Sequence, residues 1–174
     1  MASIPFILNK CEKPGSGALV AFLANTFEEE YTGVGIAGLV NKIEWDYKGV
    51  NIAGFGNYNG GYYNGGDYNG IRIAGFVNIG DNFNGIEATG LVNKNGGKSK
   101  GAQISCINYS KGVDDFLLQF GLFNHIGEMD LEKEATIQIG LYNSANGAAS
   151  ILLNARGIKN YIKRVKERCQ KKKN

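Results

Sequence analysis

The chain has 174 residues and a mass of 18.8 kDa, which is enough for one domain with a core of its own. Its 26 glycines against two prolines, together with nine tyrosines and nine phenylalanines, indicate a packed architecture with many tight turns and argue against a disordered linker. No run approaches the roughly 18 apolar residues of a membrane-spanning helix, and the N-terminus lacks the features of a secretion signal. The three cysteines, Cys11, Cys106 and Cys169, form no motif. We therefore expect a cytoplasmic protein.

The first 16 residues do not share the pattern of the rest of the chain. They include Pro5 and Pro14, and proline cannot donate a backbone hydrogen bond to a neighbouring strand. We predict that residues 1–16 form an N-terminal cap over one open end of the repeat that follows.

Residues 17–154 contain a repeated phrase that ends in asparagine. One copy, G-V-N-I-A-G-F-G-N, ends at Asn57 and returns as G-I-R-I-A-G-F-V-N, which ends at Asn78. Aligned on this residue, the chain contains eight copies, and the basic unit is 15 or 16 residues long with two insertions. The eight anchors are Asn25, Asn41, Asn57, Asn78, Asn93, Asn108, Asn124 and Asn143.

Each copy has the alternation of a β-strand. In ATIQIGLYN, Ile137, Ile139 and Leu141 alternate with Gln138 and Gly140. We expect the apolar row and the asparagine to face inward and the glutamine row to face outward. Several copies carry one extra residue beside a glycine, where we expect a β-bulge to preserve this facing. These glycines are Gly38, Gly54, Gly75 and Gly90.

Two all-β architectures can carry such a repeat. In a β-solenoid each unit is one coil, equivalent strands stack in parallel at about 4.8 Å, and the asparagines form a ladder. In an antiparallel hairpin array the linker supplies the second strand of each unit. We favour the solenoid, with about eight coils, because an asparagine at one position of every copy suits a stacked side-chain ladder.

Two copies resemble the repeats of the surface-repeat family first named in Leptospira, which have the form G-V-Q-I-G-L-x-N. They are LLQFGLFN (residues 117–124) and ATIQIGLYN (residues 135–143). The resemblance covers about residues 17–143. It implies a β-repeat fold, and it implies no activity.

The linkers carry the variation between copies. Many of them close with an aromatic residue: Tyr31, Tyr47, Tyr68 or Phe83. Between the third and fourth copies the linker swells to YNGGYYNGGDYN, whose tyrosines and amides are typical of adaptable recognition loops. The alternative is a plain loop in which glycine and asparagine supply the turns. The candidate recognition residues are Tyr58, Tyr62, Tyr63, Asp67 and Tyr68.

Catalytic and cofactor motifs are not evident. The single histidine, His125, follows a strand and is interpreted as a solvated turn residue, and the acidic runs Glu28–Glu30 and Asp114–Asp115 lack the spacing of a calcium loop. We predict no enzymatic activity, no cofactor, no metal and no small-molecule substrate.

The C-terminal segment, residues 155–174, is basic and amphipathic. From residue 156 onward there are nine lysines and arginines and one acid, whereas residues 1–155 hold ten bases and fifteen acids. Ile158, Tyr161, Ile162, Val165 and Cys169 lie at helical spacing, so we predict a helix that caps the last coil. The candidate basic surface is Lys163, Arg164, Lys166, Arg168, Lys171, Lys172 and Lys173.

These patterns favour a structural or interaction scaffold with a protein partner that the sequence does not identify. The alternative is peripheral binding to an anionic membrane or, second to that, to nucleic acid through the basic C-terminal helix.

Overall fold

The computed structural model of the chain describes residues 2–60 and 66–171, which form a β-solenoid followed by one helix. The elements are β1 (Ala2–Cys11), β2 (Gly15–Phe27), β3 (Tyr31–Ala37), β4 (Val40–Ile43), β5 (Tyr47–Ala53), β6 (Gly56–Asn59), β7 (Tyr68–Ala74), β8 (Val77–Gly80), β9 (Phe83–Thr89), β10 (Val92–Ile104), β11 (Ile107–Phe120), β12 (Phe123–Glu128), β13 (Ala135–Ala145), β14 (Ala148–Arg156) and α1 (Ile158–Lys171).

Each coil contributes one strand to each of two parallel stacks. The first stack pairs β3 with β5, β7 and β9 in turn, with Ile36 opposite Ile52, and the second pairs β4 with β6 and β8, with Asn41 opposite Asn57. The longer strands β10 and β11 belong to both stacks. The solenoid of about eight coils is therefore confirmed, and the antiparallel hairpin array is wrong for this region.

The asparagine ladder is present in the second stack. Each member from Asn25 to Asn124 donates from Nδ2 to Oδ1 of the asparagine in the next coil, at 2.7–3.1 Å. All eight predicted members are fully buried. Asn9 in β1 adds a ninth, with Nδ2 3.0 Å from Oδ1 of Asn25, which the repeat alignment missed because it assigned this segment to a cap.

The facing predicted for the first strand of each coil is wrong. Gln103, Gln119 and Gln138 are fully buried, whereas Ile36 and Ile52 are 38% and 37% exposed. The amides can occupy the interior because stacked glutamines pair with one another: Gln119 Nε2 lies 2.6 Å from Gln103 Oε1, and Gln138 Nε2 lies 2.7 Å from Gln119 Oε1. A buried polar side chain that is hydrogen-bonded carries little penalty, so the isoleucines are free to face outward.

The extra residue of the longer copies is accommodated at a corner, and the predicted β-bulge is wrong. The chain bends at Gly38–Leu39 between β3 and β4, and again at the equivalents, Gly54, Gly75 and Gly90. A side chain at Gly54 would collide with the carbonyl oxygen of Gly38 in the preceding coil, which explains the glycine. Because the chain changes direction at this corner, the row of side chains that faces inward is determined separately for the two strands of each coil.

The interior row of the first stack contains one ion pair. The Arg72 guanidinium donates to the Glu87 carboxylate, and both side chains are fully buried. Asn95 and Gln103 also donate to Glu87 Oε2, at 2.6 Å and 2.9 Å, and Asn95 Oδ1 accepts from Arg72 at 2.9 Å. Beyond Gln103 the row continues through Gln119 and Gln138 to Asn154.

The aromatic residues that close the linkers form a buried stack. Ring centroids are 5.8 Å apart for Tyr31 and Tyr47, 5.3 Å for Tyr47 and Tyr68, and 5.7 Å for Tyr68 and Phe83. Burial raises the pKa of the Tyr47 and Tyr68 phenols, which remain neutral. Phe27 and Ile43 complete this apolar cluster, which fills the N-terminal half of the interior beside the amide rows.

Added strands cover both ends of the solenoid. β1 pairs in parallel with β2, so Ala2–Cys11 extends the stack. At the other end β14 pairs antiparallel with β13, an element that the repeat did not predict. The helix α1 follows β14 and contacts the body through Tyr161, whose ring centroid lies 5.4 Å from that of Phe116, and through Asn160, which donates to the Leu131 carbonyl at 3.1 Å.

Asn93 provides a test of the ladder. Asn93→Ala removes the acceptor of Asn78 and the donor to Asn108 and to the Ile104 carbonyl, all buried, so we expect a loss of about 2–4 kcal/mol in the free energy of unfolding, measured by urea denaturation. The control is Asn84→Ala, which breaks a similar bond to Asn69 at the exposed surface and should cost less than about 0.5 kcal/mol. Equal losses for the two variants would contradict the ladder's role.

The buried ion pair predicts a non-additive result. Glu87→Gln leaves the Arg72 charge buried without its partner and should lower the free energy of unfolding by roughly 3–5 kcal/mol. The double variant Arg72→Gln/Glu87→Gln extends the glutamine row by two members and should recover most of that loss in the same urea experiment. A double variant less stable than Glu87→Gln alone would show that the row cannot be extended in this way.

Candidate functional site

The most prominent surface feature is an apolar edge, which runs along the corner that joins the two stacks. We define it as the outward side chains of the first-stack row that includes Ile36 and of the corner row that includes Leu39. Its members are Ile36, Ile52, Ile73, Ala88, Ile104, Phe120 and Ile139, and Leu39, Phe55, Phe76, Leu91, Cys106, Leu122 and Leu141.

The strand register makes this edge continuous from coil to coil. Its large members are 37–58% exposed, and the Phe55 and Phe76 rings stack with centroids 5.3 Å apart. Seven coils at about 4.8 Å make the edge roughly 30 Å long. Contiguous exposed apolar side chains of this kind are typical of interaction surfaces, so the edge is a candidate binding surface.

The outward lysines of the two stacks lie in two rows toward the linker ends of the strands, and three of them are ion-paired: Lys10 with Glu12 and Glu28, Lys42 with Glu44, and Lys100 with Asp115. The row beyond Asn41 on the second stack includes Lys10, Lys42 and Lys94, and the outer row at the start of the first stack includes Lys48 and Lys100. Neither row contains an aspartate or a glutamate among its described members: Lys10, Thr26, Lys42, Tyr58, Ile79, Lys94, Tyr109, His125 and Ser144, and Ser16, Thr32, Lys48, Asn69, Asn84 and Lys100.

The opposite side of the solenoid, which we call the linker edge, carries the carboxylates. It consists of the segments that join one coil to the next, such as Glu28–Glu30, Glu44–Asp46 and residues 129–134. Of the fifteen acids in residues 1–155, eleven lie in segments between strands, Asp114, Asp115 and Glu128 lie within β11 and β12, and the remaining one is the buried Glu87. The cross-section of each coil is therefore apolar at the corner, whereas its charged residues lie toward the linker edge, where Lys48 shares a cleft with Glu30 and Asp46.

Several open clefts lie on the linker edge. One, of about 480 Å³, is lined by Lys98, Lys111, Glu128, Asp130 and Glu134, and two others, of about 380 Å³ and 300 Å³, share Lys98. Glu134 accepts a hydrogen bond from Lys98 Nζ at 2.8 Å, which raises the pKa of that amine, and the Lys133 ammonium lowers the pKa of Asp130. Within the described ranges, no three His, Cys, Asp or Glu side chains are grouped as metal ligands.

The candidate recognition loop is only partly described. Tyr62 and Tyr63 lie outside the described residues. Tyr58 is half-buried on the outer surface of β6, and Asp67 is exposed, with its carboxylate accepting from Asn82 at 2.9 Å. Tyr68 is removed from this set, because its ring is 1% exposed within the aromatic stack and cannot reach a ligand at the surface.

The candidate basic surface lies on α1. Lys163, Lys166 and Arg168 are exposed, whereas Arg164 is half-buried, with its guanidinium 5.7 Å from the Tyr161 ring. Because Tyr161 packs on Phe116, part of the apolar stripe of this helix is directed at the solenoid. The Lys171 side chain, Lys172 and Lys173 fall outside what the structure describes.

Comparison of the chain with protein-family models, with curated proteins and with solved structures found no significant match. In the part of the chain that the structure describes, no helix has the length and hydrophobicity needed to cross a membrane.

Sequence reasoning missed the apolar edge because it assigned the isoleucine row to the core. A signal was available in the partner row, where Asn51, Arg72, Glu87, Gln103, Gln119 and Gln138 occupy equivalent positions and all but two are amides. A row of amides in register is the pattern of a side-chain ladder as well as of a solvated face.

Proposed function

We propose that the protein is a non-enzymatic interaction scaffold and that the apolar edge is the surface through which it binds. The observation that carries this proposal is the exposure of large apolar side chains in coil after coil along one edge. Leaving apolar surface in water is unfavourable by about 25 cal/mol per Å², and binding recovers that free energy. We further propose a cytoplasmic location, on the sequence grounds given above.

The solenoid suits a scaffold because its geometry is fixed from within. Two buried amide rows set the spacing of the coils, so the apolar side chains are presented at the regular strand interval of about 4.8 Å without rearrangement. A preorganised surface loses little conformational entropy when it binds. In the clefts of the linker edge, by contrast, Lys98 is paired with Glu134 and Lys133 with Asp130.

The proposal predicts that the apolar edge is covered in the cell. We suggest a cysteine at Leu91, a corner position whose equivalent in the next coil is already Cys106, and a control cysteine at Trp45 on the linker edge. The two native side chains are 49% and 52% exposed, so the positions are matched. Both cysteine variants also carry the substitutions Cys11→Ser, Cys106→Leu and Cys169→Ser.

The measurement is the rate of maleimide modification in unclarified native lysate, compared with that of the purified protein. We expect Leu91→Cys to react at least severalfold more slowly in lysate and Trp45→Cys to react at the same rate in both. Equal rates for Leu91→Cys in lysate and in purified form would contradict the scaffold proposal.

A further inference from the structure

We propose that the last strand, β14, pairs with the β14 of a second copy of the chain across a two-fold axis at Leu152, so that two solenoids join end to end. The inference goes beyond the proposed function and does not depend on it. Three properties of β14 support it. Its outer edge is open, its central side chains are apolar and exposed, and its bend and facing are complementary to themselves.

The outer edge of β14 is unpaired in the part of the chain that the structure describes. β14 is hydrogen-bonded to β13 on one side and is the last strand of the sheet. The chain reverses at Gly157, whose φ is 68°, and α1 then lies against coils that precede β14. Tyr161 reaches Phe116 in β11, and Arg164 lines a cleft with Lys98 of β10. The outward N–H and C=O groups of β14 are therefore available to another strand.

β14 also lacks the residues that usually protect an edge strand. Exposed edges commonly carry proline or lysine, which discourage the addition of a further strand. At the other end of the solenoid, β1 contains Pro5, which has no N–H to donate. β14 contains neither proline nor lysine, and its one charged residue, Arg156, is at its end. Of the two ends, the β14 end is the one whose sequence permits pairing.

Three large apolar side chains at the centre of β14 are exposed. Ile151, Leu152 and Leu153 are 57–75% exposed, against 37–58% for the large members of the apolar edge, because β14 is the last strand of the described sheet. A second copy on this end would remove their apolar surface from water, which is favourable.

The bend of β14 favours a second copy over an unrelated strand. Residues 153–156 pair with the first-stack part of β13, and residues 148–150 pair with its second-stack part, so the strand bends between them, at Leu152. A straight strand can pair with only one of these two arms. The same bent strand, rotated by half a turn about the line that bisects the bend, follows both arms, because the rotation exchanges them.

The facing of the side chains is symmetric about Leu152. Its neighbours, Ile151 and Leu153, are exposed, and the next residues, Ser150 and Asn154, lie in register with the inward amides of β13. A two-fold axis at Leu152 therefore places outward residues opposite outward ones and inward residues opposite inward ones, as antiparallel pairing requires. Asn154 of each copy then lies opposite Ser150 of the other, so polar side chains meet in the interior.

The charge of β14 and the apolar edge are compatible with this arrangement. The two Arg156 side chains lie at opposite ends of the paired strands, so like charges do not meet within the pair. Because the axis passes through the corner, the corner row of one copy continues into the corner row of the other. The dimer therefore presents one apolar edge of twice the length, and the symmetric contact closes after two copies.

The first test is the mass of the full chain, measured by sedimentation equilibrium over a range of concentrations, and we expect a dimer. Leu152→Lys places two ammonium groups directly opposite each other at the axis and should weaken the dimer by roughly tenfold or more. The control is Leu91→Lys, the same substitution at a half-exposed position of the apolar edge, which should leave the dimer unchanged. Both native side chains are exposed, so circular dichroism should show that both variants fold.

The second test is disulfide formation, in chains that carry the three substitutions of the native cysteines given above. Leu152→Cys lies opposite its own copy, at a Cα separation of about 4.5–5.5 Å that a disulfide spans, so oxidation should give a covalent dimer. Ala149 and Ala155 lie opposite each other across the axis. We therefore expect a covalent dimer from a mixture of the Ala149→Cys and Ala155→Cys chains and little from either chain alone.

Several results would overturn the inference. They are a native chain that is monomeric at every concentration, or a dimer that Leu152→Lys leaves intact. A dimer that only Leu91→Lys dissociates would assign the contact to the apolar edge instead. A mass that grows without limit would indicate head-to-tail pairing of β14 with β1. Covalent dimers that form from Ala149→Cys alone as readily as from the mixture would exclude the two-fold axis at Leu152.

Discussion

The hydrogen bond between identical amides one strand apart is the interaction on which the rest of this structure depends. An asparagine or glutamine side chain has both a donor and an acceptor, so each member of a stacked row satisfies the next at the same interval as the backbone ladder. Parallel register is required, because a slip of one residue would bring an amide opposite an isoleucine. The ladder therefore fixes the coil spacing, the register and the facing of every strand it passes through.

A polar interior changes what the surface can be. In most domains the large aliphatic side chains are mostly buried in the core, and the charged and polar side chains are mostly exposed at the surface. Here the amide rows share the space between the stacks with two apolar clusters, around Tyr47 and around Leu117, and the isoleucines and phenylalanines of the first-stack outward row and the corner row remain outside. The apolar edge and the ladder are thus two results of a single arrangement of residues.

The sequence was sufficient for the solenoid, the asparagine row and the C-terminal helix, because each depends on recurrence or periodicity alone. It was insufficient for the facing of the first strand. Alternation separates two rows of side chains but does not show which is inside, and ordinary hydrophobicity assigned Ile137 inward and Gln138 outward. The pair Arg72 and Glu87 was missed for the same reason, since each looked like a variable surface residue. Tyr68 was misassigned because an aromatic residue at a loop end fits either a binding surface or a core.

The two amide rows point in opposite directions along the solenoid. In the asparagine row the Nδ2 groups from Asn9 to Asn124 are directed toward the C-terminal end, whereas Asn154, Gln138, Gln119 and Gln103 each donate toward the N-terminal end. The dipoles of the two rows therefore oppose one another where the rows run side by side, as they do between paired antiparallel helices. The glutamine row ends with its positive pole at Glu87, so this carboxylate is stabilised by a line of aligned amides as well as by a guanidinium. Glu87 is therefore in the same electrostatic situation as an anion at the N-terminus of a helix, although the aligned dipoles here belong to side-chain amides in a β-structure.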